Sequence, residues 1–246
     1  GLGLCALSYY NAYGYILTSV ILFITSYFIN KGENNKFDFK DMFKKGIIIT
    51  WITFLLCGGW FIRNAVIYNG DFLGLSTEEE YSEQYAMEEF KPTNRETPQN
   101  TNMGLFNMLF NKGWVIVTLK SFVGLFGTMI ITMGTKFYLL YFGVFAIGII
   151  GYISRFYKLK HIKELKEDKN KALLEVIFGI NIVIPIGLSI YYSYCNDFQP
   201  QGRYIMPMLI PFVYFIVSGL EKILDKFIKN EKIKKVVQIL IIAIGI

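Results

Sequence analysis

The chain has 246 residues, 53% of them hydrophobic, and a mean hydropathy of +0.39. That balance excludes an ordinary soluble domain. The formal net charge of +6 is no evidence for nucleic acid as a partner, because the basic residues cluster in loops between apolar blocks.

Charge-free stretches cover residues 1–30, 46–62, 137–154, 176–196 and 204–220. A helical span needs about 20 apolar residues, and only helices or closed barrels satisfy their backbone in lipid. No ten-residue alternation points to a barrel. The expected fold is therefore all-α, a polytopic helical membrane protein. We read 1–246 as one transmembrane domain, a fragment with about five complete spans and a truncated sixth at 236–246. The block at 1–29 reads as a mature span, because it lacks the basic start of a signal peptide.

The loops set the expected orientation. Loops 31–45, 155–172 and 221–235 hold 18 of the 25 Lys and Arg residues and are predicted to be cytoplasmic. Residues 70–134 carry eight acids and four bases and are predicted to form an extracytoplasmic loop, joined on that side by 195–203. Many tyrosines, among them Tyr9, Tyr10, Tyr13, Tyr15, Tyr68, Tyr138, Tyr141 and Tyr191, fall near the same predicted boundary, as in an aromatic belt. Segment 103–134 is apolar enough in part to span, but a span there would turn the basic loop 155–172 outward. We read it as amphipathic or re-entrant, broken by Gly113, Gly124, Gly127 and Gly134.

Before it, residues 76–102 begin with an acidic run. Glu78, Glu79, Glu80, Glu83, Glu88 and Glu89 admit a divalent cation, against the plainer reading of a solvated helix face. Cys5, Cys57 and Cys195 stand alone, and His161 is the single histidine. No zinc site or catalytic triad follows from these, and no metal ligands are assigned.

The arginines carry the chemistry. The chain has 21 lysines and four arginines, so an arginine at a predicted outer interface calls for a reason. Arg63 closes the second span and Arg203 opens the fifth. A guanidinium fork binds phosphate bidentately and stays charged when partly desolvated. Two such forks at one membrane face suit the phosphate of a lipid, with Asn64, Gln201 and Tyr204 beside them. The competing reading is that each snorkels to headgroups or pairs with Asp71 or Asp197 to lock helices. Gly202 permits a tight turn before Arg203. Pro207 and Pro211 suit the first turn or a kink of the helix that follows.

Three motifs resemble one family. Trp60-x-x-Arg63-Asn64-x-x-x-Tyr68-Asn69-Gly70-Asp71-x-x-Gly74 is similar to the W-x-x-R-N…Y-G-D-P-x-G stretch of a bacterial multi-spanning family of unknown function, grouped with GT-C-type glycosyltransferases. Ser121-Phe122-Val123-Gly124-Leu125-Phe126-Gly127 resembles its S-F-W-G-x-F-G element. Gln201-Gly202-Arg203-Tyr204-x-x-Pro207 resembles its Q-G-R-Y-x-x-P element. The motifs keep the family's order over residues 50–215. Asn69 is inserted, Phe72 replaces a proline and Val123 a tryptophan.

The resemblance implies the C-terminal part of a GT-C-like fold. It also implies transfer of a sugar from a polyprenyl-phosphate donor to a cell-envelope glycan, at the outer face of a bacterial plasma membrane. Such enzymes usually take their base from an acid in the first outer loop, a region this sequence is expected to lack. Asp71 and Asp197 are the weak candidates here. The alternatives are a transporter of lipid-linked sugar, disfavoured by the lack of repeats and of mid-membrane charge, and a non-catalytic, lipid-binding membrane scaffold.

Overall fold

The computed structural model describes residues 1–8, 13–30, 38–156, 159–230 and 234–236. The protein is an all-α, multi-pass membrane protein. Its described residues form helices α1 (Leu2–Ser8), α2 (Tyr13–Ile29), α3 (Phe39–Ile67), α4 (Leu75–Tyr85), α5 (Trp114–Gly124), α6 (Thr135–Phe156), α7 (Leu159–Glu167), α8 (Lys169–Cys195) and α9 (Leu209–Phe227). One antiparallel hairpin pairs β1 (Leu125–Phe126) with β2 (Ile131–Thr132). Four helices are long and apolar enough to cross a membrane: α3, α6, α8, and the run Gly202–Phe227 that ends in α9.

The first apolar block differs from the single span expected of it. It forms two helices, α1 and the 17-residue α2, with residues 9–12 outside the described part. The two described helices pack on different neighbours. A Cβ on Gly3 would lie 2.8 Å from Leu56 Cβ of α3, and one on Gly14 would lie 2.9 Å from Ile184 of α8. Each half is therefore pressed against a different neighbour. Residues 31–37 and 237–246, which include part of a basic loop and nearly all of the expected sixth span, lie outside the described residues. So do the side chain of His161 and residues Tyr9 and Tyr10.

The bundle core is the crossing of α6 and α9. Lipid tails are as apolar as leucine, so helices in a membrane associate through close packing rather than the hydrophobic effect. Small residues permit that approach here. A Cβ on Gly151 would lie 2.2 Å from the Gly219 carbonyl oxygen, and one on Gly148 2.9 Å from that of Ile216. Helix α2 runs antiparallel to α8. Thr18 Oγ1 donates to Asn181 Oδ1 at 2.8 Å, with both residues buried, and Asn30 and Asn170 exchange amide hydrogen bonds at 3.0 Å farther along.

A buried carboxylate joins α8 to the α6–α9 pair. Glu175, 7% exposed, accepts from Tyr152 Oη at 2.9 Å and from Tyr214 Oη at 3.3 Å. Nearby, Arg155 donates to the Ser218 carbonyl at 2.6 Å. These groups mark the Lys-rich end of the bundle. The opposite end carries the loops and the Arg203 turn. Pro185 lies inside α8, which continues through it to Cys195.

Candidate functional site

The site grows from the turn between α8 and α9. Gly202–Tyr204 forms one 3-10 turn and Met206–Met208 a second, which leads into α9. The turn is seated by direct backbone contact. A Cβ on Gly202 would lie 2.2 Å from Phe122 N and 2.5 Å from Ser121 C. The Ser121-Phe122 and Gln201-Gly202 motifs thus meet main chain to main chain. Phe122 anchors the contact in a small core with Ile205 and Met208, and its ring meets Phe212 edge-on at 5.9 Å.

Arg203 projects from this seat with an exposed side chain. Its guanidinium lies over the Tyr204 ring at 4.9 Å and donates to Tyr204 Oη at 3.0 Å. Tyr204 is buried and donates in turn to Gln199 Oε1, while Gln199 Nε2 donates to Asp197 Oδ2. Asp197 also faces Arg95 at 3.8 Å. Hydrogen bonds chained in this way polarise one another and fix geometry. Gln201 contributes backbone: its N–H donates to the Gln199 carbonyl at 2.8 Å, and its own carbonyl accepts from Tyr204 N at 3.2 Å.

Below Arg203 opens a cavity of about 880 Å³. It is lined by Gly1, by Leu2, Cys5 and Ser8 of α1, by Tyr15 and Ser19 of α2, by Phe178 of α8, and by Arg203 and residues of the run from Met206 to Pro211. Pro207 closes one corner, its carbonyl accepting from Tyr15 Oη. A single cationic fork above an apolar cleft has the layout of a site for an anionic head on an apolar tail.

Arg63 is placed elsewhere. It is not among the residues lining this cavity. It lies over the Trp60 ring at 5.5 Å and donates to Asn64 Oδ1 at 3.2 Å. Asn64 is 2% exposed and turned under the following loop, donating to the Phe72 carbonyl at 3.4 Å. Tyr68, Asn69 and Gly70 end α3: Tyr68 N donates to the Asn64 carbonyl, and Asn69 and Gly70 take the left-handed conformation, with φ of 51° and 98°. The inserted asparagine thus supplies half of the turn.

Asp71 belongs to that turn. Its Oδ1 accepts from Gly74 N at 2.9 Å, and its Oδ2 accepts from Thr77 N at 2.9 Å and Thr77 Oγ1 at 3.0 Å. Gly74, with φ of 76°, then starts α4. The Thr77 N–H foremost, then the Thr77 hydroxyl and the Gly74 N–H, hold the carboxyl below the usual aspartate range. A carboxylate held charged by three donors is a cap, and a poor general base.

The remaining motif residues shape the α5 hairpin. α5 has 11 residues, far short of the about 20 a span requires. Its end is tied by Tyr138 Oη, which donates to the Gly124 carbonyl at 2.6 Å. Gly127 turns the hairpin with φ of 61°. The acidic run holds separate partners: Glu83 accepts from Thr93, and Glu88 from Lys91 and Asn94. Among the described residues no three His, Cys, Asp or Glu side chains gather as a metal site.

Sequence reasoning missed Gln199, Tyr15, and the pair in which buried Trp114 Nε1 donates to Ser193 Oγ at 2.9 Å. Tyr15 was read only as part of the aromatic belt, because its partner Pro207 lies 192 residues away, and Gln199 lay just outside the Gln201–Pro207 motif. No protein-family model, curated protein or solved structure matches this chain.

Proposed function

We propose that the protein binds a polyprenyl-phosphate sugar lipid through Arg203 and belongs to a GT-C-like membrane glycosyltransferase acting on a cell-envelope glycan. The observation that carries this reading is Arg203 beside an open apolar cleft, oriented by Tyr204 and Gln199. In this reading the Arg203 end faces outward and the Lys-rich loops face the cytoplasm of a bacterial cell. As the sugar leaves, negative charge builds on the phosphate. A guanidinium held ready stabilises that charge more in the transition state than in the ground state.

A second reading is favoured by the carboxylates. Asp71 caps α4, and Asp197 is engaged by Gln199 and Arg95. Neither stands ready to deprotonate an acceptor. The described residues therefore also suit a lipid-binding scaffold that performs no transfer.

Native mass spectrometry of the protein with undecaprenyl phosphate, beside the Arg203→Ala and Arg63→Ala variants, tests the lipid site. The expected result is a retained lipid, weakened about tenfold or more in Arg203→Ala, as for a lost charged hydrogen bond, and little changed in Arg63→Ala. Equal retention by folded Arg203→Ala overturns the site. Transfer of labelled sugar from a synthetic donor separates the transferase from the scaffold.

A further inference from the structure

Two hydroxyls in the seam between α5 and α8 are buried without a bond. Thr118 is 1% and Ser189 2% exposed, and neither Thr118 Oγ1 nor Ser189 Oγ has a hydrogen-bond partner among the described residues. Other helical hydroxyls of this chain are spent on their own helix: Ser8, Ser26 and Ser154 each donate to the carbonyl three residues back. A buried hydroxyl left without a partner costs its full desolvation penalty, and lipid offers no substitute.

Two contacts fix where these side chains lie. Trp114 Nε1 of α5 donates to Ser193 Oγ of α8 at 2.9 Å. Farther along α5, Phe122 sits in the core on which Ile182 and Ile186 of α8 pack. As α5 advances from Trp114 to Phe122, its α8 neighbours recede from Ser193 to Ile186, so the two segments run in opposite directions. Trp114, Thr118 and Phe122 follow one another at a four-residue spacing and share one face of α5. Ser189 lies between Ser193 and Ile186. Thr118 and Ser189 therefore fall opposite each other, midway between the two contacts.

The two hydroxyls do not bond each other. Buried polar atoms that face one another beyond hydrogen-bond reach are bridged by water where the seam is polar enough to hold it. A buried water makes about three hydrogen bonds. Thr118 and Ser189 supply two partners, each able to donate or accept. Ser193 Oγ, one turn along α8, supplies a third: it accepts from Trp114 and donates to the Gln199 carbonyl at 3.3 Å, which leaves one lone pair.

We propose that one ordered water is bound between Thr118 Oγ1 and Ser189 Oγ, closed off from lipid and from bulk solvent. It satisfies both hydroxyls and ties α5 to α8 one turn along from the Trp114–Ser193 bond. The site extends the polar seam that runs from Trp114 through Ser193 to Gln199, and it stands whatever Arg203 binds.

Thermal unfolding of the full chain in detergent tests the shared site, with wild type, Thr118→Val, Ser189→Ala and the double variant. Each single change takes a partner from the water and leaves the other hydroxyl stranded, so Tm should fall by roughly 2–4 °C. The double variant should fall no further than one single, because neither hydroxyl is then left to miss its partner. Single variants that melt above wild type mean dry, orphaned hydroxyls, and falls that simply add mean hydroxyls with no partner in common. Either result overturns the site.

A direct Thr118–Ser189 bond would give the same melting pattern, so a wild-type structure at a resolution that shows ordered water decides between them. The expected density is a single peak about 2.7–3.0 Å from both oxygens. Oxygens in direct contact, or a gap with no peak, overturn the proposal, and this reading stands even if a variant fails to fold.

Discussion

Replacing Gly202 by alanine adds one methyl group where the backbone of α5 already lies. The new Cβ would stand 2.2 Å from Phe122 N and 2.4 Å from Phe122 Cα, against an ordinary contact of at least 3.4 Å. The obstructing atoms are main chain, so no side chain can swing aside. Gly202 is not among the positive-φ glycines, and alanine meets no conformational penalty there. The whole cost is steric: α5 must retreat by about 1 Å, and the Phe122, Ile205 and Met208 contacts loosen with it. Overpacking of this kind costs about 3 kcal/mol at the upper end of its usual range. That corresponds to a fall in Tm of roughly 6–12 °C for a chain of this size.

Thermal unfolding in detergent, followed by circular dichroism, reads the change. Gly143→Ala is the control, because nothing lies within 4 Å of a Cβ at that position in α6. It should be neutral, or stabilising by about 0.5–1 kcal/mol through lost unfolded-state freedom. If Gly202→Ala melts with wild type, the main-chain contact between the two motifs is wrong. The cavity geometry argued from it falls as well.

Three other outcomes follow from separate contacts. Thr18→Val keeps shape and removes the hydroxyl from Asn181, at a cost of about 0.6–1.7 kcal/mol; a double-mutant cycle with Asn181→Leu should recover most of it. Trp114→Phe loses the bond to Ser193 and leaves a gap at a residue 4% exposed, lowering stability by about 1–2 kcal/mol in the same melting assay. Asp71 has a depressed carboxyl, so the order it gives the turn is present above the ordinary aspartate pKa of about 3.9 and is lost as pH falls through its lower folded value. Hydrogen exchange at the Thr77 amide should therefore stay slow at neutral pH and quicken only in acid, and Asp71→Asn should quicken it at neutral pH.

The class of this protein was legible in its composition, because lipid imposes long charge-free helices whatever their partners. The blocks at 46–62, 137–154 and 204–220 fall within a helix or helical run long enough to span, and 176–196 does so but for its last residue. Turn chemistry was legible too. Asn69, Gly70 and Gly74 take left-handed conformations that few other residues accept. The motif around Arg203 was visible as an arginine among lysines, held by a glycine and a proline.

What sequence could not decide was which groups meet. Arg63 and Arg203 look alike along the chain. Only tertiary packing gives one a cavity and turns the other onto Trp60 and Asn64. Asp71 looked like a spare acid until the α4 N-terminus took both its oxygens. Glu175 lies one residue before a charge-free block and carried no assignment, yet the two tyrosines that satisfy it come from α6 and α9. Periodicity and charge are properties of a segment, so sequence carries them. Partnership depends on which surfaces close packing brings within a few ångströms, and contacts such as Gly202 on Phe122 decide that.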